Sequence, residues 1–314
     1  SLGPMDRASM QALLEGLVPG LPVAARDHIV DRADGVPVYA VETVRLLVND
    51  ERLVLEGGVY RPTADLTDLD APETLRALVA SRLDALEADD RDLLQSAAII
   101  GQSFSAGALA TITGSEVTDL EPRLRQLVRR EMLVLQADVR SPERGQYAFS
   151  QELLREVAYE TLARDERRRR HLAAARYFES LDTDELVGAL AAQYQAAYRN
   201  ARPGAESDAL AIQARLALRG AAERALSLGS TEQAYRLYEA ALELASDPAD
   251  EAELLTLVAR AAVPATHEGR GREALERAIE LYRQMDRRSD MARAYAALVD
   301  ATPVSYTHLR AHET

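Results

Sequence analysis

Apolar positions recur with a helical period through most of the chain, and the pattern is sharpest between residues 82 and 162. Asp89 and Asp90 predict the start of the first helix in this stretch. The period then changes to two, and Leu133–Leu135 and Tyr147–Phe149 predict a hairpin with Asp138–Gly145 as its loop. Three helices before the hairpin and one after it are predicted at Arg91–Ile100, Ser105–Thr113, Leu120–Glu131 and Gln151–Leu162. Three helices followed by a hairpin is the element order of a winged helix.

The first 81 residues have the same helical period with one interruption. Gly57-Gly58 predicts a tight turn between two short strands, Leu53–Glu56 and Val59–Arg61. Pro72 is expected to open the helix that follows the loop Leu66–Ala71. The predicted helices are Asp6–Leu17, Pro22–Ala33, Val38–Asn49 and Glu73–Leu86.

The pattern of residues 166–300 predicts helix almost throughout. Part of this region matches the second half of a tetratricopeptide repeat. In Gly229–Pro248, Ala234 and Ala241 are the small contact positions and Tyr238 is the large one. A second unit follows, in which Ala274 lies 40 residues after Ala234, a longer spacing than the usual period of about 34. Two matches are fewer than the three or so that a free solenoid needs, so neighbouring helices or a continuation must cap the array.

Other helices of this region are predicted without a clean repeat match, at Arg167–Leu181, Asp184–Tyr198 and Ala209–Leu228. Helical repeats commonly bind other proteins. Tyr235 and Tyr238 are therefore candidate protein-contacting residues.

Two segments carry a resemblance to a known family. Ser141–Leu162 (SPERGQYAFSQELLREVAYETL) resembles the wing and exit helix of bacterial STAND-type signalling ATPases, and Ala33–Leu47 (ADGVPVYAVETVRLL) resembles a lid motif of the same proteins. These proteins couple an AAA-like ATPase to helical repeats, often with a class III nucleotide cyclase or a LuxR-type output domain. The resemblance extends over about residues 2–300 in motif order. The residue after the wing phenylalanine is often histidine in the family and is Ser150 here, so the resemblance does not extend to a role carried by that histidine.

The resemblance implies a mainly α chain with two short β-hairpins. Its predicted parts are a lid segment of an ATPase domain (1–81), a winged helix (82–165) and tetratricopeptide-like repeats (166–303). In the family a Gly-x-Pro in the lid lies near the bound adenine, and Gly35 and Pro37 match it. The alternative is that these two residues only separate two helices. The expected function is a regulatory part of an ATP-dependent signalling protein of a bacterial cytoplasm, with a DNA-binding winged-helix regulator as the alternative.

Composition limits the chemistry of the chain. There is no cysteine, which excludes disulfides and thiolate metal sites. There is also no lysine, because all 37 basic residues are arginine, so the G-x-x-x-x-G-K-[ST] phosphate loop cannot occur in this chain. We therefore expect that the chain is not itself an enzyme and binds no cofactor alone. In the intact parent protein, ATP and Mg²⁺ would be held by a P-loop half upstream of this chain. That half is the first expected partner, and a protein bound to the repeats is the second.

Charge argues against nucleic acid. The chain has a net charge of −14, and residues 82–165 have 10 arginines against 15 acidic residues, a net of −5. The acidic balance favours a protein contact over DNA, although the predicted helix Leu120–Glu131 turns five polar side chains outward as a recognition helix does: Arg123, Arg125, Gln126, Arg129 and Arg130. No run of eighteen apolar residues or signal peptide is present, so no membrane partner is expected.

Three further features have ordinary explanations. The run Arg167–Arg170 is expected to pair with Asp165 and Glu166 or to face solvent rather than to bind phosphate. The acidic residues of 87–92 suit the positive end of a helix better than a cation site. His28, His171 and His267 are too dispersed for a Ser/His/Asp set, so no catalytic or metal residue is assigned.

The last eleven residues, Val304–Thr314, break the amphipathic pattern. They resemble the in-frame translation of a transposase-type sequencing adapter. We expect this tail to play no part in the function, and we expect the chain to be a fragment.

Overall fold

A computed structural model of the chain describes residues 4–63, 74–136, 145–262 and 267–300. It divides into two compact units, Ser1–Ala163 and Arg164–Thr314. The predicted fold class is confirmed, because the described residues form helices, two small antiparallel sheets and a tetratricopeptide-like array. The predicted loops Leu66–Ala71 and Asp138–Gly145 lie outside these residues except for Gly145, as does the predicted adapter tail.

The first unit contains eight helices among its described residues. They are α1 Arg7–Leu17, α2 Val23–Ala33, α3 Pro37–Asn49, α4 Leu75–Asp84, α5 Ala88–Ile100, α6 Ala106–Thr113, α7 Val117–Arg129 and α8 Glu152–Glu160. Side-chain caps fix several starts: Asp6, Thr74 and Ser105 accept the backbone N–H three residues later. Two predicted starts are wrong. α5 begins at Ala88, with Asp89 and Asp90 inside its first turn, and α7 begins at Val117, three residues before the predicted Leu120. α4 begins at Leu75 with Thr74 as its cap, and Pro72 lies outside the described residues.

Two sheets accompany these helices. The hairpin of β1 Leu53–Glu56 and β2 Val59–Pro62 is confirmed, with Leu55 opposite Tyr60. The second sheet has the order β3-β5-β4, formed by Ser103–Phe104, Tyr147–Phe149 and Leu133–Leu135. The predicted hairpin is therefore present, and β3 is a third strand that the sequence pattern did not predict.

Two hydrophobic cores fill the first unit, and α4 contributes to both of them. Leu78 packs with Leu14 and Leu47 in the core of α1–α3. Leu83 packs with Leu94 and Leu124 in the core of the helices and sheet that follow. The predicted boundary between residues 81 and 82 thus lies inside a helix that serves both cores.

The second unit is a succession of helices, each packed against the next. A single 3₁₀ turn, Asp184–Leu186, precedes α10. The helices are α9 Arg164–Ser180, α10 Val187–Asn200, α11 Ala205–Ser227, α12 Thr231–Leu242, α13 Pro248–Ala262, α14 Glu268–Gln284 and α15 Arg288–Asp300. Gly229, with φ 76°, makes the turn between α11 and α12.

The repeat positions lie in the cores of this second unit. Ala234 and Tyr238 are buried with Ala274 in one cluster, and Ala241 is buried in the neighbouring cluster. Small residues at these positions let successive helices approach closely, and the one large ring fills the space between them. The described α9 and α10 pack on the α11 side of the array and supply the neighbouring helices that the short match required.

Candidate functional site

The turn that joins α2 to α3 holds both residues that match the adenine-contacting motif. α2 ends in a left-handed Asp34 followed by Gly35 with φ 76°, and Pro37 is the first residue of α3. The Gly35 carbonyl accepts the Met5 N–H at 2.8 Å. A Cβ at Gly35 would lie 2.6 Å from that of Pro4. Backbone conformation and close neighbours therefore both require glycine here.

Pro37 is half-buried, and its two neighbours in sequence are exposed valines. Val36 and Val38 are 47% and 43% exposed. The three side chains give an apolar edge at the start of α3. Such an edge can pack against a flat ring but offers nothing to a phosphate.

Gly35 also lines a cavity of about 280 Å³. Its charged lining consists of Asp31, Asp34 and Arg7, and Arg7 pairs with Asp31. One carboxylate is therefore left in excess. This cavity repels a phosphate rather than attracting one.

A buried ionic cluster links α3 to the rest of the first unit. The side chains of Glu42 and Arg82 are 0% and 1% exposed and form an ion pair. The other carboxylate oxygen of Glu42 accepts from Arg45 Nη1 at 2.6 Å and from Gln151 Nε2 at 2.6 Å. One carboxylate thus joins three parts of the chain that are far apart in sequence: α3, α4 and the residue before α8.

The cluster continues to the end of α7. Arg82 Nη2 donates to the Arg130 carbonyl at 3.3 Å, and Arg45 Nε lies 2.6 Å from Glu131 Oε2. Burial lowers the pKa of Arg82, while the neighbouring Glu42 opposes that shift. The sequence pattern did not predict this cluster. The sequence does contain one indication of the cluster, a glutamate within the apolar run VYAVETVRLL. The buried face of α3 has no other charged residue.

The outward arginines of α7 are partly neutralised. Arg123 lies 3.0 Å from Asp90 Oδ1 and 2.8 Å from Asp89 Oδ2, and Arg125 pairs with Glu121. The acidic residues at the start of α5 therefore hold an arginine. Among the described residues no group of three histidine, aspartate or glutamate side chains could hold a metal ion.

The arginines at the start of α9 also have partners. Arg164 donates to the carbonyls of Asn200 and Ala201, at 3.2 and 2.7 Å, and so caps the end of α10. Arg168 pairs with Glu206, and Arg170 pairs with Glu166. Pairing thus explains this basic run, as the sequence suggested.

The two candidate protein-contacting tyrosines differ in exposure. Tyr238 is 0% exposed, so it offers no surface to a partner and fills the repeat core. Tyr235 is half-buried, and its ring stacks on His267 with 4.3 Å between the centroids. His267 Nε2 lies 2.9 Å from Glu232 Oε2, and this contact lowers the pKa of Glu232. Of the two, only Tyr235 can contribute directly to a contact.

His171 is a buried histidine between α9 and α10. Its Nδ1 lies 2.6 Å from Gln193 Oε1. Burial lowers the pKa of His171, the hydrogen bond to Gln193 opposes that shift, and the nearby Arg167 adds to it. The neutral imidazole is thus the form that the folded chain prefers.

No protein-family model matches the chain, and a search of the curated proteins found no relative. Among solved structures the chain is similar to a STAND (signal transduction ATPase with numerous domains) protein with a tetratricopeptide repeat sensor from Pyrococcus horikoshii. The identity is 12% and the TM-score is 0.36, over 95% of this chain and 44% of that one. The chain thus spans less than half the length of this structure. No helix among the described residues is long and apolar enough to cross a membrane.

Proposed function

We propose that this chain is the regulatory part of a STAND-type signalling protein, and that it couples the nucleotide state of a P-loop half to partner sensing by helical repeats. Support comes from the two segments that resemble the family, Ala33–Leu47 and Ser141–Leu162, in their order along the chain. The described residues between and after them have a compatible fold, because helices and a hairpin precede a tetratricopeptide-like array. In this proposal the unit from α5 to α8 acts as a protein-contacting winged helix.

The observation that carries the proposal is the shared carboxylate of Glu42. It lies on α3, the helix that Pro37 begins, and it bonds Arg82 on α4 and Gln151 before α8. A shift of α3 would therefore break buried ionic contacts unless α4 and α8 moved with it. Because leaving a buried charge unpaired costs several kcal/mol, roughly 3–5, these elements are expected to move together.

The nucleotide contact in this proposal is limited to the base. The apolar edge of Val36, Pro37 and Val38 suits an adenine ring, whereas the acidic cavity beside Gly35 does not suit phosphates. ATP bound with Mg²⁺ would supply the energy of the switch in the parent. Its phosphates would be cradled by backbone amides and a lysine of the upstream half, since this chain has no lysine.

A protein partner on the repeats is the second part of the proposal. Tyr235 and the adjacent His267 present a partly exposed aromatic pair between α12 and α14. Aromatic side chains of this kind are common anchors in protein interfaces. DNA is not the proposed partner, because two of the three outward α7 arginines, Arg123 and Arg125, are paired and residues 82–165 have a net charge of −5.

Titration calorimetry with Mg-ATP tests the nucleotide proposal. This chain alone is expected to bind at best with a millimolar constant, about 4 kcal/mol, because the phosphate contacts are missing. Joining the upstream half should restore binding, and Pro37→Ala should then weaken it without changing the helix content. Pro22→Ala is the matched control, since Pro22 also stands at a helix start but outside the motif. A micromolar constant for this chain alone, or no effect of Pro37→Ala in the restored protein, would contradict the proposal.

A further inference from the structure

A cleft of about 240 Å³ lies in the first unit between α3 and the end of α7. Its floor is apolar. Val41, Val44 and Val48 follow one another on one face of α3, and Leu17 from the end of α1 completes the floor. Leu17 remains 45% exposed. Water therefore covers this apolar surface, and a bound apolar group would displace that water.

The rim of this cleft is positively charged. Arg45 is balanced by its ion pairs with Glu42 and Glu131, and Arg82 shares Glu42, so these two cations and two anions cancel. Arg129 and Arg130 also line the cleft, and within the described part of the chain neither forms an ion pair. Two positive charges are thus in excess here, in a chain of net charge −14.

The backbone that carries these two arginines is held in place before any ligand arrives. The Arg130 N–H donates to the Gln126 carbonyl at 3.0 Å, and the Arg130 carbonyl accepts from buried Arg82. Glu131 adopts φ 55°, and Met132 N–H then donates to the Leu127 carbonyl at 3.0 Å. A fixed backbone removes one part of the conformational cost of binding, whereas the side chains of exposed Arg129 and half-buried Arg130 still have to be ordered by the ligand.

The position of these arginines at a helix end has an ordinary explanation, because cations stabilise the negative end of the helix dipole. That explanation leaves the apolar floor beside them unaccounted for. A ligand that satisfies both features must carry an anion and an apolar body. A volume below the usual range of about 300–1,000 Å³ for drug-sized ligands limits the body to one ring or a short chain.

We propose that this cleft binds a small organic anion, with one phosphate or carboxylate group between Arg129 and Arg130 and an apolar body over Val41, Val44 and Val48. The site lies wholly between residues 17 and 131. It needs no P-loop half and does not rest on the proposed function.

Calorimetric titration of the full chain tests the proposal with phenyl phosphate, benzoate, inorganic phosphate and phenol as probes. Phenyl phosphate or benzoate should bind at least about tenfold more tightly than inorganic phosphate and than phenol. Whichever of the two binds better identifies the anion. Equal affinity for phenyl phosphate, benzoate and inorganic phosphate, or no saturation of either aryl anion by about 10 mM, would overturn the proposal.

Variants separate the two halves of the site. Arg129→Gln with Arg130→Gln should weaken binding of the preferred aryl anion at least about tenfold. Arg125→Gln is the matched control, because Arg125 lies on the same helix, is exposed and does not line the cleft. Leu17→Gln should weaken the aryl anion and leave inorganic phosphate unchanged. An equal loss in Arg125→Gln would show that general charge, and not this site, attracts the anion.

Discussion

Removal of one partner of the Glu42–Arg82 pair should destabilise the first unit more than any surface pair can. Arg82→Met keeps most of the side-chain volume but leaves the Glu42 carboxylate buried, with Arg45 and Gln151 as its remaining partners. Breaking a buried pair costs roughly 3–5 kcal/mol. Because two partners remain, we expect the lower end, about 3 kcal/mol. For a unit of this size the midpoint of thermal unfolding should fall by roughly 6–12 °C.

Arg76→Met is the matched control for this experiment. Arg76 lies on the same helix and pairs with Glu156 and Glu160, but its side chain is 49% exposed. Exposed pairs contribute about 0–1 kcal/mol, so this variant should stay within about 1 kcal/mol of the parent. Urea unfolding followed by circular dichroism gives both free energies.

A double variant tests the reason for the loss. Glu42→Leu combined with Arg82→Met removes both charges, and replacing a buried ion pair by apolar residues is often neutral. The double variant should therefore be more stable than Arg82→Met alone. The reasoning fails if Arg82→Met costs no more than Arg76→Met, or if the double variant is the least stable of the three.

Two further predictions follow from the second unit and from α7. The pKa of His171 is lowered in the folded chain, so the unfolded chain takes up a proton at higher pH than the folded chain does. The stability that neutral His171 contributes is therefore fully present above about pH 6.5 and should be lost as the pH falls towards the folded pKa. Urea unfolding of the parent and of His171→Gln between about pH 7.5 and 5.5 should show a smaller loss in the variant, and equal losses would assign the effect to other groups. Residues 82–165 should not bind duplex DNA specifically; sub-micromolar, sequence-dependent binding in a low-salt gel-shift assay, abolished by Arg125→Ala or Arg129→Ala, would refute this.

Much of the fold could be predicted because local period and helix signals suffice for it. Ser105 and Gly114 bound α6 within one residue of the prediction, and the strands of the second hairpin are confirmed at Leu133–Leu135 and Tyr147–Phe149. β3 could not be predicted, since a strand of two residues has no period of its own. Its pairing with β5 depends on a fold already formed.

The candidate site was less predictable for a related reason. Gly35 and Pro37 are visible in the sequence because their backbone requirements are local. Glu42, Arg82 and Gln151 are separated by up to 109 positions, and only tertiary packing shows that they share one carboxylate. Tyr238 illustrates the opposite error, because a repeat signature identifies a large residue without showing that it is completely buried.

Several arginines of this lysine-free chain each contact more than one polar group at the junctions between elements. Arg91 donates from Nε and Nη2 to the carbonyls of Leu83, Asp84 and Leu86 at the end of α4. A planar guanidinium can satisfy several groups in fixed directions, whereas an ammonium acts as a flexible point charge. Arg82 does the same between a carboxylate and a carbonyl, and Arg164 does so at the end of α10. The absence of lysine thus excludes a P-loop from this chain. The arginines that are present make the multidentate contacts that cap helix ends and join α3 to α4.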